Sequence, residues 1–199
     1  MWNQRYNTKA YAYGTAANDF LISMAARLPT GKILCLAEGE GRNAVWLAEL
    51  GNDVTAVDSS DIGLQKADTL AKARGVEITT LHADLADYNI GTQQWDAIIS
   101  IFCHLPHDLR QDVHRRCVKG LRDNGMFLLE AYTPQQLEYK TGGPPVTEMM
   151  IDMRSLSSEL NGLEFLHLQE CVREIHEGEF HNGTSAVVQA LAKKSSVTA

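Results

Sequence analysis

Apolar residues in this chain gather into short continuous runs separated by helical patterns, and that arrangement limits the folds open to it. The runs are Ile33–Ala37, Val54–Val57, Val76–Leu81, Ala97–Phe102 and Met126–Leu129. Continuous rather than alternating runs are expected of parallel strands covered on both faces. Helical patterns fall between them. Ala44, Leu47, Ala48 and Leu50 form one face ahead of Gly51, and Ser60 or Asp61 caps a helix that carries Leu64, Ala67, Leu70 and Ala71 and ends at Gly75. Pro106 suits the first turn of a helix carrying Leu109, Val113, Cys117 and Leu121, closed by Asn124-Gly125. Strand, helix, strand in succession predicts right-handed crossovers and a three-layer, doubly wound α/β sheet.

The last third changes character. Thr141-Gly142-Gly143-Pro144-Pro145 reads as a loop, followed by a helix around Met149 to Leu160. Leu163 to His176 and Thr184 to Ala192 then read as two long strands joined by a segment rich in turn formers, an antiparallel hairpin added to a parallel sheet. A single domain over residues 1–192 follows, with a frayed tail over 193–199. At 199 residues, 44% hydrophobic and 22% charged, the chain has the composition of one ordinary globular domain. Its net charge of −7 argues against a nucleic-acid backbone as main partner, which needs clustered cations. No apolar run is long enough to span a membrane, and the start lacks a signal-peptide core. The four cysteines include no Cys-x-x-Cys pair. Reduced thiols and a cytoplasmic location are the expectation.

Glu38-Gly39-Glu40-Gly41-Arg42-Asn43 sits where the first strand hands over to the first helix. Glycines there let the backbone approach a ligand, and the helix start offers unpaired N–H groups. Gly39 through Ala44 also fits the dinucleotide G-x-G-x-x-G/A pattern. Asp58 closes the second strand, where a carboxylate accepts both hydroxyls of an adenosine ribose. Asp84-Leu85 follows the third, where an acid beside an apolar residue receives an adenine amino group and flanks the ring. Taken singly, Asp58 is equally a helix cap and Asp84 a loop acid; together, at successive strand ends, they point to one nucleoside. Glu38 and Glu40 repel a pyrophosphate and attract a sulfonium bearing an α-ammonium group. That charge sign favours S-adenosylmethionine over NAD.

Leu34 through Asn43, Val54 through Ser60 and Ala83-Asp84-Leu85 resemble the ordered motifs of class I S-adenosylmethionine-dependent methyltransferases, most closely the small-molecule group related to tellurite and thiopurine methyltransferases. The resemblance implies a seven-stranded Rossmann-like sheet of order 3-2-1-4-5-7-6 with the last strand antiparallel. It implies a cofactor set of Glu38, Gly39, Gly41, Asn43, Asp58, Ser59, Asp84 and Leu85. Within that set Gly39 and Gly41 line the methionine portion, Asp58 the ribose, and Asp84-Leu85 the adenine. Cys35 and Ala37 stand where the family commonly has Asp and Gly, and Glu38 where it often has a small residue. Glu38 is therefore expected to take the ligand's ammonium group.

The acceptor is expected outside the carboxyl ends of the fourth and fifth strands, with the loop at 142–145 as a possible lid. His104 is the first candidate to orient or deprotonate it. His176 is the second, because Glu174-Ile175-His176 resembles the position of a histidine in tellurite-methyltransferase-type relatives. Cys103 reads better as a small buried apolar residue than as an acceptor-side thiol. His82, His107, His114, His167 and His181 have no metal spacing, so no metal is expected. Trp2, Tyr6, Tyr11 and Tyr13 precede any strand, so residues 1–17 form either a flap over the cofactor, with Arg5 near its carboxylate, or a segment anchored by burying its rings. The function implied is methyl transfer to a small molecule, a soft S, Se or Te nucleophile by resemblance, by a monomer or homodimer with no membrane or nucleic-acid partner. The rivals are an NAD-dependent oxidoreductase and a non-enzymatic S-adenosylmethionine-binding module.

Overall fold

A computed structural model of the chain describes residues 2–196. Seven strands, β1 (Lys32–Leu36), β2 (Asp53–Asp58), β3 (Thr79–His82), β4 (Trp95–Ile101), β5 (Leu121–Tyr132), β6 (Leu163–Glu177) and β7 (His181–Lys194), form one sheet. Their order is β3-β2-β1-β4-β5-β7-β6. β1 to β5 pair in parallel, and β7 runs antiparallel to both β5 and β6. The helices are α1 (Trp2–Tyr6), α2 (Asp19–Met24), α3 (Arg42–Glu49), α4 (Asp61–Arg74), α5 (His107–Gly120), α6 (Gln136–Tyr139) and α7 (Met153–Glu159).

Continuous apolar runs become strands buried on both faces because successive side chains alternate sides. Ile33, Cys35, Ala97 and Ile99 pack with Leu21 of α2, Leu47 of α3 and Leu64 of α4. Leu34, Leu36, Ile98 and Phe127 face the other way, onto Val113 and Cys117 of α5 and Leu156 of α7. The three-layer architecture expected from the sequence is the one observed.

Two boundaries differ from expectation. α5 ends at Gly120, not at Asn124-Gly125, and Leu121 already pairs with Trp95 in the sheet. A side-chain carbon at Gly120 would come within 2.6 Å of Ile90, so glycine lets the end of α5 pack closely on that residue. Residues 193 and 194, expected in the tail, belong to β7. Lys193 pairs with Met126 of β5 and Glu164 of β6, and Lys194 donates to the carbonyls of Val118 (2.9 Å) and Leu121 (2.7 Å), closing the end of α5. The expected tail residues 197–199 lie outside the described residues.

Candidate active site

The sheet changes direction of growth between β1, which pairs with β2 on one side, and β4 on the other. Such a switch point opens a crevice at the carboxyl ends of the strands. A cavity of about 570 Å³ lies there, bounded by the ends of β1, β2 and β4, the loop after β3, the amino-terminal segment, the loop at 142–146 and the turn into β7. The two neighbouring strands leave the sheet through left-handed, non-glycine residues, Ala37 (φ 48°) and Phe102 (φ 51°), both on the cavity wall. Such conformations are held by their surroundings and gather at binding sites.

The cavity is lined by Glu38, Asn43, Asp58, Ser59, Asp84 and Leu85, among others. Asp58 is 5% exposed; its Oδ2 accepts from the Gly39 N–H (2.8 Å) and its Oδ1 from the Ser60 N–H (2.7 Å). The carboxylate thus shapes the glycine turn while keeping lone pairs for a ligand. Burial pushes its pKa up, against the pull of those N–H donors. Asp84 Oδ1 accepts from the Ala86 N–H (2.9 Å), and Leu85 is buried beside it.

Glu38 caps α3. Its Oε1 accepts from the N–H groups of Asn43 (2.9 Å) and Ala44 (2.8 Å). Burial raises its pKa to about 7, opposed by those two donors and by Arg42. A cation placed beside Glu38 would favour its ionised form, so an ammonium group bound there would release a proton near neutrality. Affinity for S-adenosylhomocysteine is therefore expected to rise with pH up to about 7 and level off above it. Calorimetry in buffers of different ionisation enthalpy reads the released proton, and Glu38→Gln should flatten the pH dependence. An unchanged slope in that variant would remove Glu38 from contact with the ammonium.

The other members of the glycine turn have structural partners. Gly41 (φ 87°) does not face the cavity; a side-chain carbon there would lie 2.5 Å from Ala67 Cβ, so its smallness serves the close packing of α3 on α4. At Gly39 (φ 62°) the same carbon would meet the Tyr6 hydroxyl at 2.5 Å. Glu40 lines the cavity, yet its Oε2 accepts from the Ala12 N–H (2.7 Å) and its Oε1 pairs with Lys66. The charge expected to attract a ligand is neutralised by α4 and holds down the amino-terminal segment instead. That segment is ordered and supplies Trp2, Arg5, Tyr6 and Tyr13 to the cavity. Asn3 donates to Asp61 (2.7 Å), and Lys66 donates to the carbonyls of Thr8 (3.2 Å) and Ala10 (2.7 Å). Arg5 lies over the Phe180 ring at 4.1 Å and donates to the Tyr13 hydroxyl at 3.3 Å.

Aromatic rings gather around His104. Phe102 stacks on Tyr132 (centroids 4.7 Å), His104 stacks on Tyr132 (5.4 Å), and His181 lies 4.7 Å from Phe102 and 4.4 Å from Tyr13. Burial lowers the His104 pKa to about 3, helped by His181, so its imidazole is neutral at physiological pH. Both His104 ring nitrogens and the Tyr132 hydroxyl are shielded from solvent with no protein partner. Buried polar atoms left without partners are rare in folded proteins, and here they stand beside a cavity.

His176 is not brought to this cavity. Strand alternation sends Ile175 and Glu177 inward and His176 outward, where it is exposed and its Nδ1 meets Asn182 Oδ1 at 3.0 Å. His181, five residues later and set aside in the sequence for want of metal spacing, lines the cavity instead. Its Nδ1 lies 3.3 Å from Glu177 Oε2, which also accepts from Arg42 (2.7 Å). Among the described residues no cluster of three or more His, Cys, Asp or Glu is placed to hold a metal ion, and no helix is long and apolar enough to cross a membrane.

Residues 33–125 match the family described as a methyltransferase domain. The uncharacterized methyltransferase YbaJ of Bacillus subtilis (strain 168) is 28% identical over 98 residues, covering 49% of this chain and 38% of that protein. This match thus spans well under half the length of that relative. Among solved structures, TehB from Haemophilus influenzae superposes with a TM-score of 0.74 at 22% identity, over 98% of this chain and 66% of that one. An S-adenosylmethionine-dependent methyltransferase from Clostridium acetobutylicum ATCC 824 superposes with a TM-score of 0.69 at 16% identity, over 89% and 90%. The strand order and these superpositions give the chain the fold seen in S-adenosylmethionine-dependent methyltransferases, and residues 33–125 carry the match to a methyltransferase domain.

Proposed function

We propose that the protein transfers a methyl group from S-adenosylmethionine to a small-molecule acceptor seated beside His104 in the cavity. The observation that carries this reading is a single cavity lined both by the acids Glu38, Asp58 and Asp84 and by His104, whose two ring nitrogens are shielded from solvent without a close hydrogen-bond partner. S-adenosylmethionine supplies an electrophilic methyl group when bound. The chain's own task is to align the acceptor with it and to keep water out. Glu38 takes the ammonium group, Asp58 the ribose hydroxyls, and Asp84 with Leu85 the adenine; Asn43 and Ser59 complete that wall. Gly39 shapes the turn, and Gly41 supports it through α4. Arg5 is available for the ligand's carboxylate.

On the acceptor side, His104 orients the nucleophile through a neutral imidazole. The walls around it, Phe102, Pro144, Pro145, Val146 and Met149, favour an acceptor with an apolar body. Polarizable surroundings and neutral imidazoles suit a soft sulfur, selenium or tellurium nucleophile. The cavity leaves room for a small molecule and shows no clustered cations for a nucleic-acid backbone.

S-adenosylhomocysteine is released whatever the acceptor, so its formation tests the reading across a panel of thiols, chalcogen oxyanions, phenols and amines. Turnover with at least one member is expected. His104→Ala should lower that turnover by about 10- to 100-fold, a loss of one or two positioning contacts, while S-adenosylhomocysteine affinity stays within about twofold. An unaltered rate would take His104 out of the acceptor site.

A further inference from the structure

We propose that His181 is the catalytic base and that Glu177 is its positioning residue, fixing the ring with Nδ1 protonated so that Nε2 is the proton acceptor in the cavity. The base role rests on the methyl-transfer reading; the positioning role stands on geometry alone.

Glu177 is held from three sides. Its Oε2 accepts from Arg42 Nη2 (2.7 Å) and lies 3.3 Å from His181 Nδ1, while its Oε1 accepts from Asn18 Nδ2 (2.8 Å). Side-chain exposure is 8% for Arg42, 7% for Glu177 and 9% for His181, so the triad is buried. A carboxylate only accepts hydrogen bonds, so the ring nitrogen facing it carries the proton. The other nitrogen is then a lone-pair acceptor on the ring that lines the cavity. Because Arg42 opens α3 immediately after the glycine turn, the base is anchored to the element that binds the cofactor.

The charged and titratable groups facing His181 are Glu177 from β6, Arg42 from α3, Arg5 from α1, Tyr13, Tyr132 from β5 and His104. Burial lowers its pKa first, and the Glu177 carboxylate pulls it back up. The ring is thus neutral and able to accept a proton at physiological pH. For an acceptor X–H, the X–CH₃ bond forms as the sulfur–methyl bond breaks. The sulfonium's positive charge is cancelled by the electron pair it receives, and the X–H proton passes to His181 Nε2, from which it leaves to water.

The test is nitrogen-15 NMR of histidine-labelled full-length protein, with the His181 ring identified by its absence in His181→Gln. Wild-type His181 should show protonated Nδ1 and unprotonated Nε2 at neutral pH. In Glu177→Gln the tautomer preference should be lost and the titration midpoint should fall, since the attracting carboxylate is gone. Wild-type His181 with its proton on Nε2 would overturn the proposal, whether or not the variant folds. So would a folded Glu177→Gln protein with unchanged tautomer and midpoint. Binding of S-adenosylhomocysteine, followed by calorimetry, reports separately on the cofactor site. Wild-type protein that does not bind it would remove the methyl-transfer reading, and with it the base role, while leaving the tautomer result to decide the role of Glu177.

Discussion

Glu130→Ala is expected to destabilise the fold by about 3–5 kcal/mol, the range for removing one partner of a buried charge pair. Glu130, on β5 inside the sheet, is 0% exposed. Its carboxylate accepts from Arg173 Nε (2.9 Å) and Nη2 (2.8 Å), from Asn18 Nδ2 (2.6 Å) and from Gln189 Nε2 (2.6 Å). Those donors come from β6, the loop before α2, and β7. Their alternatives after the substitution are poor, because Asn18 is fully buried and Arg173 is mostly so. Glu130→Gln keeps the volume and some of the acceptor capacity, so its loss should be nearer about 1–2 kcal/mol. Urea midpoints with an unchanged denaturant slope give both numbers. A loss below about 1 kcal/mol for the alanine variant would show that Arg173 rehydrates freely and that the network does not hold the hairpin to the sheet.

Asp58→Ala is expected to weaken S-adenosylhomocysteine binding by about 2–4 kcal/mol, roughly 30- to 700-fold. The loss has two sources. The charge-assisted hydrogen bonds proposed between Asp58 and the ribose would be lost. The N–H groups of Gly39 and Ser60 also lose their acceptor, which releases the turn that shapes the methionine end of the cavity. Asp58→Asn retains one acceptor oxygen but sets an amide N–H against one of those donors, so it should fall between wild type and alanine. Affinity within about twofold of wild type in the alanine variant would remove Asp58 from the ribose site.

The sheet was legible in the sequence because fully buried parallel strands leave continuous apolar runs, and because no helical pattern separates Leu163–His176 from Thr184–Ala192. The strand order entered through the resemblance. The acids at successive strand ends were legible for a topological reason: parallel strands deliver their carboxyl ends to one edge, so Glu38, Asp58 and Asp84 converge whatever the loop details. What escaped was set by contacts distant in sequence. The salt bridge that neutralises Glu40 comes from Lys66 on another helix. The close approach of Ile90 to Gly120, at the end of α5, comes from a loop thirty residues earlier. Whether His176 or His181 reaches the cavity is decided by the register of the β6–β7 hairpin, in which His181 pairs with the inward Glu177 and His176 with Asn182, and a shift of one residue would reverse the facing. Glu177 at an inward position, followed within five residues by a histidine, was the available signal for His181, but only the register with β7 shows which histidine points in.

These placements share one premise, that the crevice between β1 and β4 holds an adenosyl amino acid with its ammonium at Glu38 and its ribose at Asp58. Calorimetric titration of the full-length protein with S-adenosylhomocysteine tests it most directly. The account predicts one molecule bound per chain, with proton release near pH 7 and a large loss of affinity in Asp58→Ala. An absence of heat at any pH between 6 and 8, with the protein folded, would contradict it.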